Sequence, residues 1–404
     1  MSKVLISTSF NYLPLEETLE VGRKNEQLFI GIPCEDTFAE NRVALTPGAV
    51  SILVSNGHTV FVEHNAGAKS FFFDTDYSEV GAKIVYNKKE IFEANIILKT
   101  APITDVEVEF CKLGQLIISP IHLPALSVDS IKKLIDKKII AIALGSIKDD
   151  AGNFPIVRAM SEIAGGYSIL VASKYLSNTH DGKGILLGGV SGVPPAQVTI
   201  LGAGTVGFNA ARTAIGLGAE VKVFDNNIYK LMRLQNNLRQ NIYTSVIDLN
   251  ILANALKGTD VLIGALKPKN GITPVVVSED MVSNMKAGSV IIDVSIDCGG
   301  CVETSDITSH EQPTYKKYDV IHYCVPNMAS AVSRTASNSI SNVLMPILLE
   351  CGKQGGPEGM LANKTGFRNG VYLYKGLLTS ETLAKKLGLK YSNLELLINP
   401  HNLY

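Results

Sequence analysis

The chain reads as an α/β protein built from two doubly wound units. Three observations lead there. Short β-branched runs alternate with helical stretches from residue 28 onward, the alternation restarts near Gln197, and the restart carries a glycine-rich turn between a strand and a helix. The length of 404 residues suits two domains of roughly 150–200 residues each. Hydrophobic residues make up 46% and charged residues 19%, which supplies two cores and excludes a disordered or collagen-like chain.

In the first unit Leu28–Ile32 reads as a strand, and Pro47–Asn56 as a helix that starts on proline and stops before Gly57. His58–Glu63, Ile96–Leu98, Leu116–Ile121 and Ile139–Leu144 are further strands, with the helical pattern Ser127–Lys138 between the last two. A long helix around Met160–Ser177 leads to the second unit. There the strands are Val198–Leu201, Val221–Phe224, Val261–Ala265 and Val290–Val294, with Val320–Val325 a further element. Helices such as Thr205–Leu217 and Ser278–Met285 lie between them. After Asn327 come a helical stretch at Ala331–Leu349, a polar glycine-rich stretch at Gly352–Asn369 and a short amphipathic helix at Ser380–Leu387. These residues do not say which unit the C-terminal part joins.

Charge and cysteine usage narrow the class. Lys and Arg total 37 against 38 Asp and Glu, so a nucleic-acid partner held by a basic field is not expected. No stretch approaches the ~18 apolar residues of a bilayer span, and the start of the chain lacks a secretory pattern, so no membrane partner is expected either. Six scattered cysteines suit reduced thiols in a cytoplasmic protein. Gly 35 against Trp 0 favours ligand contacts made by backbone rather than by rings.

The strongest local signal is Val198-Thr-Ile-Leu-Gly202-Ala-Gly204-Thr-Val-Gly207. Gly202 serves the tight turn, Gly204 the approach of a pyrophosphate, and Gly207 the packing of helix on strand. The next strand ends in Asp225, at the spacing of a carboxylate that binds ribose hydroxyls and repels a 2′-phosphate, so NAD is the expected cofactor. Lys230 reads either as a contact on the phosphate side of the adenosine or as a surface lysine.

Ionisable residues also sit just beyond apolar runs, where open α/β sheets bind ligands. Arg42 lies in the loop between Ile32 and the helix beginning near Pro47, Lys99 follows Ile96–Leu98, His122 follows Ile117–Ile121, and Asp297 follows Ile291–Ile296. Arginine grips a carboxylate through a planar fork, lysine polarises a carbonyl or imine, and histidine exchanges protons near neutrality. Aspartate balances their charge. Singly, each has a plainer reading: surface ion pairs for Arg42 and Lys99, a loop histidine for His122 between Pro120 and Pro124, a helix cap for Asp297. Together, beside a dinucleotide turn, they point to hydride transfer on a small carboxylate-bearing substrate.

At these residues the chain resembles the alanine dehydrogenase family, which is related to the NAD-binding part of proton-translocating transhydrogenase. The matching stretches are Glu40-Asn-Arg42-Val-Ala-Leu-Thr-Pro47, Ile97-Leu-Lys99, His122-Leu123, Met160-Ser-Glu-Ile-Ala-Gly165, Leu186–Ala196, Gly202–Gly207, Asp297-x-Gly-Gly300 and Asn327-Met328. The resemblance implies reversible oxidative deamination of L-alanine to pyruvate and ammonia. Arg42 and Lys99 would bind the substrate, with Asn327 and Met328 lining its pocket. His122 and Asp297 would be catalytic, and Ser161 and Asp225 would contact the cofactor; no metal is implied. It further implies two Rossmann-like domains, the NAD domain (156–330) inserted into a discontinuous substrate domain (1–155, with an extension at 1–27, and 331–404), and a homo-hexamer.

There are departures. Ala329 and Ser330 stand where the family usually has Pro-Gly, so the loop covering the nicotinamide is expected to move differently. Cys298 replaces a usual glutamine and creates Cys298-Gly-Gly-Cys301, which lacks the second ligand pair of a structural zinc site. Rival activities are an opine- or saccharopine-type amino-acid dehydrogenase, a transhydrogenase-like subunit, and a catalytically silent NAD-binding protein.

Overall fold

The computed structural model describes residues 25–36, 40–121, 127–267 and 271–398. Within them the strands run in chain order as β1 (Phe29–Ile32), β2 (Thr59–Glu63), β3 (Lys83–Val85), β4 (Ile96–Leu98), β5 (Leu116–Ser119) and β6 (Ile140–Ala143). A second series follows as β7 (Gln197–Leu201), β8 (Glu220–Phe224), β9 (Tyr243–Ser245), β10 (Val261–Gly264), β11 (Val290–Asp293), β12 (Thr314–Lys317) and β13 (Val320–Tyr323). The last two are β14 (Val371–Tyr374) and β15 (Leu377–Leu378).

These strands make two sheets. The first has the order β15-β14-β6-β5-β4-β1-β2-β3, parallel from β6 to β3. Its last two strands, β14 and β15, are antiparallel additions from the C-terminal part of the chain. The second has the order β12-β13-β11-β10-β7-β8-β9, parallel except for β12. Each parallel set is doubly wound, reversing direction once: between β1 and β4, and between β7 and β10. Such a reversal opens a crevice at the carboxyl ends of the strands.

The central strands are buried throughout, as β5, β6, β10 and β11 show, because helices cover both faces of a parallel sheet. Continuous apolar runs such as Leu116-Ile-Ile and Val261-Leu-Ile are what that environment selects.

The connection between the units is the Pro155–Leu176 helix. It begins five residues before the Met160 expected from sequence, because Pro155 occupies its first turn, where a fixed φ and a missing N–H cost nothing. It packs closely on the Thr205–Gly216 helix. A Cβ at Gly165 would lie 2.3 Å from the Val206 carbonyl oxygen and 2.9 Å from the Asn209 Cβ. Gly165→Ala is therefore expected to destabilise the protein by about 1–3 kcal/mol as an overpacking change, read as a lower urea midpoint with an unchanged slope.

Candidate active site

The carboxyl-terminal loops of the two sheets border one cleft of about 970 Å³. The first sheet contributes Arg42, Thr100 and Pro120 to its wall, and the second contributes Ala203–Thr205, Val294, Ser295, Asp297 and Asn327. The connecting helix forms the floor with Met160 and Ser161.

On the second sheet the glycine turn behaves as its spacing predicts. Gly202 sits at φ +107°, and a Cβ there would strike the Ala265 carbonyl at 2.4 Å. A Cβ at Gly207 would lie 1.8 Å from the Gly202 carbonyl oxygen, so this position must be bare for helix and strand to meet. Gly204 differs: nothing lies within 4 Å of its would-be Cβ, and it lines the cleft. Gly204 is the N-cap of the Thr205–Gly216 helix, whose first N–H groups and positive dipole end are suited to a pyrophosphate.

Asp225 is buried just beyond β8. Its carboxylate accepts the N–H of Ala203 (2.8 Å) and of Asn227 (2.8 Å), which ties the glycine turn to the ribose end. Lys230 lines the cleft, with its ammonium 3.8 Å from Asp225. Space at Gly204, donors at the helix start and a carboxylate at the end of the next strand fit a dinucleotide.

Arg42 faces the cleft from the first sheet. Its Nε donates to Glu40 Oε1 at 2.7 Å, and Nη2 bonds the other carboxylate oxygen, so the guanidinium is gripped in a fork. Among the described residues its Nη1 meets only the Met160 thioether, at 3.2 Å. Sulfur is a weak acceptor, so that edge keeps donor capacity for a carboxylate.

In the sequence Glu40 stands out only as part of the Arg42 motif, yet it joins the two sheets. It is 3% exposed and also accepts the Asn327 side-chain amide at 3.1 Å. A carboxylate two residues from a cleft-facing arginine was the available signal. Asn327 adopts a left-handed conformation (φ 53°), and its N–H donates to Asp297 Oδ1 at 3.0 Å. Asp297 is exposed on the cleft wall, in the Val294–Cys298 turn. That turn is braced by buried Asp293, which accepts the N–H groups of Ser295 (3.0 Å) and Cys301 (2.9 Å) and the Ser305 hydroxyl (2.8 Å). Met328 is buried beside Asn327 and also lines the cleft.

At the Ala329-Ser330 departure the serine has partners in the first sheet's loops. The Ser330 hydroxyl accepts the Asn41 N–H at 2.8 Å and lies 3.5 Å from Glu40, so it ties the Met328–Val332 turn to the Arg42 loop. Cys298 lines the cleft, but burial and then Asp297 push its thiol up from the ordinary value. Burial pushes Cys301 well up too. Both are therefore thiols at neutral pH.

Two expected residues stand apart. Lys99 does not line the cleft; its ammonium lies 2.6 Å from Glu35 and 2.8 Å from Glu107, all three buried. Burial opposes its charge, but the two carboxylates outweigh burial and raise its pKa. Thr100, one residue on, reaches the cleft wall instead, because successive residues leaving a strand point to opposite sides. His122 lies outside the described residues.

Comparison with known proteins identifies the family. Residues 31–164 match the family model "Alanine dehydrogenase/PNT, N-terminal domain", and residues 168–381 match "Alanine dehydrogenase/PNT, C-terminal domain". Alanine dehydrogenase 2 of Staphylococcus aureus (strain USA300) is 39% identical over 367 residues, covering 91% of this chain and 98% of the relative. A solved L-alanine dehydrogenase superposes with a TM-score of 0.83 at 35% identity, covering 88% of this chain and 98% of that one. A transhydrogenase from Sinorhizobium meliloti shares the fold at a TM-score of 0.74 and 21% identity, over 87% and 99% of the two chains.

Proposed function

The chain belongs to the alanine dehydrogenase/PNT family, and on that premise we propose that its cleft is the site of NAD-dependent oxidation of L-alanine to pyruvate and ammonia. The observation that carries the reading is the shared cleft: a dinucleotide turn on one wall and a half-engaged arginine fork on the other.

NAD, when bound, supplies the hydride acceptor. Arg42 takes the substrate carboxylate on its Nη1 edge, and Glu40 keeps the fork aimed. That pairing leaves the α-carbon free to face the dinucleotide side of the cleft. Loss of hydride from this carbon and of a proton from the amino group gives the iminium, to which water adds. The carbinolamine then loses ammonia as its hydroxyl proton is withdrawn. His122, assigned by resemblance, moves these protons. Asp297 holds the attacking water or the departing ammonium, with Asn327 fixing one of its oxygens. Met328 and Ser161 bound the substrate and cofactor sides, and closure of the cleft excludes bulk water.

The test is NADH formation with L-alanine, followed by a panel of other amino acids. No NADH from any of them overturns the reading. Asp225→Asn is expected to raise the dissociation constant for NAD by about tenfold and to narrow its preference over NADP, because a charged acceptor is lost. Fluorescence titration with both reduced cofactors checks this. A cytoplasmic location and a homo-hexamer complete the proposal. The free state of all six cysteines supports the first and family resemblance the second; the assembly is tested by the mass of the purified protein in solution.

A further inference from the structure

The first sheet has its own winding reversal, between β1 and β4, where an open α/β sheet would hold a ligand. Here the chain's own Glu35 occupies part of that crevice. Glu35, just beyond β1, directs Oε1 at the N–H groups of Thr100 (2.7 Å) and Ala101 (3.0 Å), the donors an anionic ligand would take. Its other oxygen takes the Lys99 ammonium. Glu107 accepts from the same ammonium through Oε1, and its Oε2 accepts the Thr104 N–H at 2.9 Å to cap the Asp105–Phe110 helix. Lys99 and Glu107 are each 2% exposed and Glu35 is 6% exposed, so water screens these contacts little.

We propose that Lys99 is a positioning residue for Arg42, acting through Glu35 and Thr100, and does not contact the substrate. Each link is visible. Lys99 orients and neutralises Glu35, and Glu35 fixes the backbone of Thr100. The Thr100 hydroxyl donates to the Arg42 carbonyl at 3.0 Å, while the Thr100 carbonyl lies 3.5 Å from Arg42 Nη2. Two of the three donors on Lys99 are committed to carboxylates, and its side chain has no place on the cleft wall. A lysine so placed governs how firmly the guanidinium holds a carboxylate. It does not polarise a carbonyl.

The two roles separate with propionate, which has the carboxylate of alanine but neither its amino group nor a carbonyl. The proposal rests on the alanine dehydrogenase reading, so wild-type turnover of L-alanine is measured first; its absence overturns that reading alone. Propionate binding to the NADH complex is then followed by fluorescence, which needs no turnover. In Lys99→Met the propionate dissociation constant and the alanine KM are expected to rise together, by about tenfold, with NADH binding unchanged. Thr100→Val keeps all three buried charges, removes the hydroxyl's contacts with the Arg42 carbonyl and with Glu35 Oε1 (3.3 Å), and is expected to weaken propionate by about threefold, the worth of one hydrogen bond. Thr100→Ser should restore the wild-type value. An unchanged propionate constant in Lys99→Met, with kcat collapsed, overturns the proposal in favour of substrate contact. If Lys99→Met does not fold, Thr100→Val decides, and an unchanged constant there overturns it as well.

Discussion

Arg42→Met should lower kcat/KM for L-alanine by about 10²–10³, because truncating one member of a buried, hydrogen-bonded charge pair costs roughly 2–5 kcal/mol. The loss has two parts. The substrate carboxylate forfeits its donor edge, and Glu40, 3% exposed, is left buried with Asn327 and Ser330 as its remaining side-chain partners among the described residues. Arg42→Lys separates them. Lysine keeps the positive charge near Glu40 but offers no planar fork to bond Glu40 on one edge and substrate on the other. It should preserve the thermal midpoint better than methionine does while still raising the alanine KM by about tenfold or more. NADH binding is expected to stay near the wild-type value in both variants, since the arginine lies across the cleft from the glycine turn. A lysine variant with wild-type KM would remove the fork from the mechanism.

How much of this was legible in the sequence depended on the physical signal each feature carries. The central strands were readable because parallel strands buried on both faces demand continuous apolar runs, and β4 was placed to the residue. The edge strands β3, β9, β12 and β15 do not stand out in the sequence, nor does β14, which lies between β15 and β6. Lys83-Ile-Val, Tyr243-Thr-Ser and Thr314-Tyr-Lys-Lys carry polar or charged side chains at sheet margins, where burial makes no such demand. The stretch from Gly352 to Asn369 read as polar and glycine-rich, yet it holds the Gly356–Asn363 and Thr365–Arg368 helices. Tertiary support there overrides weak local propensity.

The site divides in the same way. Gly202 and Gly207 are legible as steric positions, because a Cβ at either would collide with the backbone. Side chains were harder. Position after a strand located Arg42, Lys99 and Asp297 but could not tell which face of the loop each takes. Lys99 turned inward to Glu35 and Glu107, while Thr100 took the cleft wall. Pairings across hundreds of residues, such as Glu40 with Asn327, leave no local pattern to read.

Asp297→Asn should reduce kcat by about 10²–10⁴, the range of a lost acid–base or charge-stabilising group, and leave NADH affinity near the wild-type value. Asparagine is the informative replacement, because its carbonyl oxygen can still accept the Asn327 N–H that Asp297 Oδ1 now takes at 3.0 Å. The turn is held independently by Asp293 through Ser295, Cys301 and Ser305, so the backbone around the substituted residue should not move. What is removed is the negative charge on the cleft wall. Without it, the ammonium-bearing substrate loses its counter-charge, and the pH dependence of kcat should shift along with its magnitude. A purely structural role for Asp297 predicts something different: a lower thermal midpoint and weaker NADH binding, with the pH profile unmoved. Steady-state kinetics from pH 6 to pH 10, with a thermal melt on the same protein, distinguishes the two.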